Sequence, residues 1–162
     1  MERKLELRDI ASYLPYGLKY ITKNKYQIIE GDKKIEIVTF DNIKHIYLYA
    51  GAFDIILRPL SDLYKTIVHN GKEIVPIVEL AKIAFPKYDW LLEKIQDSYH
   101  AVSGSIWFTF FNGSFYIDGI IGNPIDNQYQ LFDYMNELKI DYRGLIDAGL
   151  AVSVYDIENP YK

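Results

Sequence analysis

An α+β fold is what this sequence predicts, and three observations carry the expectation. The first third is a series of short apolar segments, GLKYIT, KYQIIE, KIEIVTF, HIYLYA and FDIILR, parted by the breaks KNK, GDK, DN and GA, which is the pattern of short strands joined by turns. Two Asn-Gly pairs, Asn70-Gly71 and Asn112-Gly113, stand between apolar runs, the strongest short-range signal for a hairpin. The longer helical periodicities begin only after Pro76, so strands and helices do not alternate as a doubly wound parallel sheet requires. The chain has 162 residues, no Pro/Gly/Ser-rich linker and no internal repeat. One α+β domain over 1–162 is therefore expected, with an antiparallel N-terminal sheet, two NG-turn hairpins and three to five short helices packed with them.

In order along the chain, DIASYLPYG reads as one or two helical turns opened by Asp9 as N-cap and closed by Pro15 and Gly17. Four or five short strands then meander antiparallel from Gly17 to Leu57. RPLSDL marks a corner with Asp62 as a cap, and IVHNGKEIV is a hairpin whose second strand Pro76 limits to an edge or an ending. Ile77, Leu80, Ala81 and Ala84 fall at helical spacing up to Pro86, and Trp90, Leu91, Lys94 and Ile95 suggest a second helix in KYDWLLEKIQDSYH. A hairpin occupies 105–119 and a loop containing GNP follows. A helix over about 127–139 comes next, with Tyr129, Phe132, Met135 and Leu138 on one face. DYRGLIDAG reads as a short helix capped by Asp141 and ended by Gly149, before a last strand in LAVSV.

Composition removes several classes of function. With no cysteine there is no disulfide scaffold, thiolate zinc site or cysteine nucleophile. The N-terminus carries charges at six of its first nine positions and no apolar run approaches membrane-spanning length, so a cytoplasmic protein without a membrane segment is expected. Net charge is -4, and residues 97–162 hold three basic against nine acidic side chains, which opposes a surface that tracks phosphates. Neither G-x-x-x-x-G-K-[ST] nor G-x-G-x-x-G occurs, so nothing provides the free amides of a nucleotide-binding loop. His45, His69 and His100 never form a metal-binding spacing, and no metal or cofactor is expected.

Two places could do chemistry or binding. DSYHAVSGS brings Asp97, His100, Ser103 and Ser105 within nine residues, an acid, a base and a nucleophile that a small hydrolase would need, but outside any G-x-S-x-G elbow. The stronger candidate is SIWFTFFNGSFYIDG. A two-residue Asn112-Gly113 turn opposes Phe111 to Ser114, Phe110 to Phe115, Thr109 to Tyr116, Phe108 to Ile117 and Trp107 to Asp118. One face then holds Ile106, Phe108, Phe110, Phe115 and Ile117, a core set. The other holds Trp107, Thr109, Phe111, Ser114, Tyr116 and Asp118, a mixture suited to a protein partner. Aromatics of this kind also stack single-stranded bases, yet no Lys or Arg occurs between Lys94 and Lys139 to attract a nucleic acid.

Asp9 to Lys19, DIASYLPYGLK, and Ile56 to Leu63, ILRPLSDL, together with the ending FDYMNELKIDYRGLIDAGLAVSV, resemble a family of proteins encoded by phages and prophages of gut anaerobes. The resemblance covers about half the chain. It departs where that family places a Trp-His pair, since this chain has Lys139 to Tyr142 there. It implies an origin in mobile elements and carries over no activity, cofactor or catalytic residue. The expectation is a non-enzymatic module that binds a host or phage protein inside the host cell through Trp107, Phe111, Tyr116 and Asp118. A variant has its carboxylates imitating phosphates. The alternatives are a small hydrolase using His100 with Ser103 or Ser105, and a single-stranded nucleic-acid binder.

Overall fold

The structure, a computed structural model, describes residues 3–22, 34–48, 52–118 and 125–161. It is α+β, and it divides into two compact units: Met1–Pro59 with Lys139–Pro160, and Leu60–Leu138 with Tyr161–Lys162.

The first unit opens with α1 (Leu7–Ile10), which runs directly into a 3₁₀ helix over Ala11–Tyr16. Glu6 is the N-cap, and Asp9, expected in that role, sits one turn further on: its carboxylate accepts the Glu6 N–H at 2.9 Å and holds Arg3 at 2.7 Å. An acid in the first helical turn reaching back to the cap amide satisfies a donor that the helix cannot. Gly17 closes the segment at φ 68, where a side chain would be strained.

The sheet that follows has β1 (Lys19–Thr22), β2 (Ile35–Ile37) and β3 (Phe53–Leu57), with β1 antiparallel to both of the others. KYQIIE, expected as a strand, lies outside the described residues. Of HIYLYA, also expected as a strand, residues 45–48 belong instead to α2 (Ile43–Leu48), and the last two lie outside the described residues. The reason lies just upstream: Thr39 N–H donates to Asn42 Oδ1 at 2.7 Å, Asn42 N–H donates back to Thr39 Oγ1 at 3.3 Å, and Ile43 N–H reaches Thr39 O at 2.9 Å. That reciprocal cap nucleates a helix in a segment whose composition favours strand.

The last strand in the chain, β10 (Ala151–Ser153), adds parallel to β3 and completes the order β10-β3-β1-β2. The described strands do not pair in the sequence order that the expected meander requires: β1 lies between β2 and β3, and a distant parallel strand borders β3. The short helix expected in DYRGLIDAG is a set of turns, although Asp141 does cap it: buried at 4%, its carboxylate accepts Leu145 N–H at 2.9 Å and Ile146 N–H at 2.7 Å. Ile10, Tyr13, Leu18, Ile55, Leu57 and Leu145 are fully or almost fully buried and form the centre of this core. Tyr13 donates to Ile140 O at 2.8 Å, and burial, reinforced by Tyr142 and Asp141, pushes its ionisation far above the usual phenol range. Tyr20 donates to Glu36, and burial followed by that hydrogen bond raises it to about 12.

The second unit begins with a 3₁₀ helix over Leu60–Tyr64 that buries Asp62 and Leu63. A hairpin follows, β4 (Ile67–His69) against β5 (Lys72–Ile74), around Asn70-Gly71. Pro76 ends β5 and opens α3 (Pro76–Ala84), where a missing N–H costs nothing because the first-turn amides have no helical partner. Ile77, Leu80 and Ala81 are buried on the side that the spacing indicates.

KYDWLLEKIQDSYH does not form a helix. It makes β6 (Leu91–Ile95) and the start of β7 (Ser98–Ser103), turning at Gln96 and Asp97 with Gln96 at φ 54. Leu, Glu and Lys favour a helix locally, and pairing with β7 overrides that preference. Next come β8 (Ile106–Phe111), β9 (Ser114–Asp118) and α4 (Gln128–Glu137). The four strands form an antiparallel sheet in the order β6-β7-β8-β9.

One face of that sheet carries the core. Phe108 and Phe115 stack at 5.6 Å, Phe110 meets Phe115 at 4.9 Å, and Phe132 of α4 closes on Phe110 and Phe115 at 6.1 and 5.3 Å. Trp90 packs on Phe108 at 6.3 Å and donates Nε1–H to Phe85 O at 3.0 Å. Phe132, Met135 and Leu138 of the expected stripe do face the core, joined by the buried Leu131, whereas Tyr129, expected on the same face, is 72% exposed.

Candidate functional site

The hairpin register is the one the Asn-Gly turn dictates: Trp107 opposes Asp118, Phe108 opposes Ile117, Thr109 opposes Tyr116, Phe110 opposes Phe115 and Phe111 opposes Ser114. Asn112 and Gly113 take φ 48 and 77, the left-handed pair that a type I′ turn needs. The two faces then separate as opposed residues must. Phe108, Phe110 and Phe115 are buried at 0, 8 and 3% exposure, whereas Trp107, Phe111 and Tyr116 stand at 37, 63 and 50%. Asp118 is exposed beside Trp107.

The other two strands extend the open face. Val102 opposes both Trp107 and Leu91, so Leu91, Val102, Trp107 and Asp118 form one row across the sheet. Leu91 is exposed at 66%. Glu93 opposes His100, whose ring lies 5.9 Å from that of Trp107. Across all four strands this face contains two carboxylates, Glu93 and Asp118, and no Lys or Arg. Sequence inspection finds the hairpin half of this surface but misses Leu91 and Glu93, because a segment expected as a helix supplies them. Their signal would have been the Gln96-Asp97 turn.

The sheet is also split. Pairing of β7 with β8 covers only Ala101 to Ser103 against Ile106 to Phe108. Beyond Phe108 the Tyr64 hydroxyl occupies the position a partner strand would take: it donates to Phe110 O at 3.2 Å, accepts Phe110 N–H at 3.4 Å and lies 3.3 Å from Thr109 Oγ1. A cleft of about 360 Å³ opens there, between Ser98 to His100 on one side and Thr109 to Phe111 on the other.

The hydrolase constellation does not assemble. His100 and Ser103 are an odd number of positions apart in β7 and so project from opposite faces. Ser105 lies in the tight turn before β8 and Asp97 in the turn before β7. His100 Nδ1 is buried without a hydrogen-bond partner among the described residues, so neither serine nor Asp97 reaches it. Among the described residues no cluster of three His, Asp or Glu could hold a metal ion, and no helix is long and apolar enough to cross a membrane.

In the other unit an apolar groove of about 460 Å³ runs between Leu14, Pro15 and Val38 to Ile43, with Phe40 exposed at 90% on its border. Nothing in the sequence pattern announces it, since Phe40 ends a run that reads as strand.

No protein-family model, curated protein or solved structure matches the chain.

Proposed function

We propose that this chain is a non-enzymatic protein-recognition module of phage or prophage origin, working inside the host cell and contacting its partner through Trp107, Phe111, Tyr116 and Asp118. The observation that carries the reading is the joint exposure of three large aromatics on one face of a hairpin whose other face buries Phe108, Phe110 and Phe115. Such a patch is uncommon unless something covers it, and Trp and Tyr beside carboxylates are the side chains that protein interfaces favour. The same face has no cation, so a base-stacking surface would lack the attraction that single-stranded binding needs, and a protein partner bearing Lys or Arg is the better match. The phage or prophage origin rests on the resemblance of DIASYLPYGLK and ILRPLSDL.

The test is affinity purification with chemical crosslinking from the lysate of an anaerobic gut bacterium, using the wild-type chain and a Trp107→Ala/Tyr116→Ala double variant whose circular dichroism matches it. The expected result is a crosslinked host or phage protein that the double variant fails to retain. Recovery of the same proteins in the same yield by both chains would end the assignment of this face.

A further inference from the structure

The four-stranded sheet has two edges, and they are not equivalent. In a two-residue hairpin the residues flanking the turn are a hydrogen-bonded pair, and pairs alternate from there. Ile95 and Ser98 flank the Gln96-Asp97 turn, so Glu93 and Leu91 also bond to β7, while the N–H and C=O of Leu92 and Lys94 are aimed away from it. The same alternation starting from Ser103 and Ile106 makes Ala101 and Phe108 a bonded pair, and it correctly directs the Phe110 backbone at the β7 side, where Tyr64 meets it. Since β6 is terminal in the sheet order, no strand lies beyond it among the described residues. At the opposite edge the corresponding outward carbonyl, that of Phe115, already receives Gln128 Nε2–H at 3.4 Å.

We propose that the outer edge of β6 takes an extended segment of the partner as a fifth, antiparallel strand, which names the mode by which the protein-recognition reading above operates and rests on it. The side chains of β6 state what that segment should carry. Leu91, Glu93 and Ile95 belong to the open face, and with a strand bonded through Leu92 and Lys94 they fall at the non-hydrogen-bonded positions, where opposed side chains approach most closely. Glu93 is exposed and enters no ion pair among the described residues. The segment therefore places a Lys or Arg opposite Glu93 and, two residues later, an aliphatic side chain opposite Leu91, continuing the row Leu91, Val102, Trp107. Main-chain bonds provide the affinity and these two positions the selectivity. A second copy of the chain fits less well, because full-length antiparallel pairing of β6 with itself sets Glu93 against Glu93.

The probe is the acetylated and amidated peptide Thr-Lys-Thr-Val-Thr-Lys, added to the full chain while backbone amide exchange is followed by NMR. Without peptide the Leu92 and Lys94 amides should exchange faster than those of Leu91 and Glu93. With free peptide at about ten times its Kd, both should slow by about tenfold. Lys94→Pro removes one outward N–H without touching a bond to β7, and it should abolish that protection. Glu93→Lys should weaken binding of this peptide and confer binding of its Glu-for-Lys counterpart, which keeps the test open should the proline variant fold poorly. Strand addition is overturned if the peptide does not bind, or if it binds without slowing Leu92 and Lys94. It is also overturned if those amides are protected in proportion to protein concentration alone, which would identify a second copy as the occupant. Binding that shifts Trp107 and Tyr116 without edge protection would overturn strand addition and leave the recognition face standing. Edge protection should persist in the Trp107→Ala/Tyr116→Ala variant, whose substituted side chains lie two and three strands from β6, and its loss there would overturn strand addition; failure of the recognition face itself is read separately, by the crosslinking comparison above.

Discussion

Phe110 and Phe111 are adjacent, chemically identical and on opposite faces, so truncating each in turn is a direct test of the register on which the candidate surface depends. Phe110 is 8% exposed and packs its ring 4.9 Å from Phe115 and 6.1 Å from Phe132. Removing a buried phenyl group costs about 3–5 kcal/mol, part of it the loss of ring pairs worth about 0.5–1.5 kcal/mol each. Phe111 is 63% exposed, and its truncation should cost at most about 1 kcal/mol, the span of strand propensity. Both tryptophans, Trp90 and Trp107, lie in the same unit as the hairpin, so their fluorescence reports unfolding of that unit. With a urea dependence of about 2 kcal/mol per molar, Phe110→Ala should lower the midpoint by about 1.5–2.5 M, and Phe111→Ala by about 0.5 M or less. Equal shifts, or a larger one for Phe111→Ala, would mean that the open face is covered and would refute both the face assignment and the function built on it.

Three further outcomes follow from the same structure. Gly113→Ala, at φ 77 with no atom near an added Cβ, should destabilise the hairpin by about 1–2 kcal/mol through backbone strain alone, measured by the same titration. Asp141→Ala should cost about 1–3 kcal/mol because two amides lose a buried acceptor, and Asp141→Asn should recover part of that in thermal unfolding followed by circular dichroism. Tyr20 is held above its ordinary value of 10.0, at about 12, so the neutral phenol stabilises the fold fully below pH 10 and loses that contribution as pH rises through about 12. Tyr20→Phe should therefore flatten the alkaline end of the stability profile, and a profile unchanged by the substitution would contradict the burial and Glu36 contact assigned to this phenol.

What could be read in advance divides by the range of the interactions involved. The β8–β9 register is legible residue by residue because Asn112-Gly113 admits one arrangement and everything opposed to it follows. The hairpin at Asn70-Gly71 and the stop at Pro76 are legible for the same local reason. In HIYLYA the composition points to strand, and for its described residues, 45–48, the outcome is decided by a Thr39–Asn42 cap that lies just upstream. In WLLEKI the composition points to helix, and the outcome is decided by β7. The parallel return of β10 to β3 and the insertion of Tyr64 beside Phe110 bring together residues far apart in the chain, for which no local pattern exists. The candidate surface was consequently half visible: Trp107, Phe111, Tyr116 and Asp118 lie in one hairpin, while Leu91 and Glu93 come to it through a strand that sequence reasoning reads as a helix.

The separation of faces in this hairpin also governs how the protein can diversify. Alternate codons from Trp107 to Asp118 specify packing and display, so point substitutions at the displayed positions can change what is recognised while leaving Phe108, Phe110 and Phe115 untouched. Insertion or deletion of a single residue within one strand of the hairpin exchanges the two sets beyond that point, exposing the buried phenylalanines and forcing the Asp118 side of the sheet inward. Lineages of this protein under pressure to track a changing partner should therefore vary at every second position here and keep the length of the segment constant.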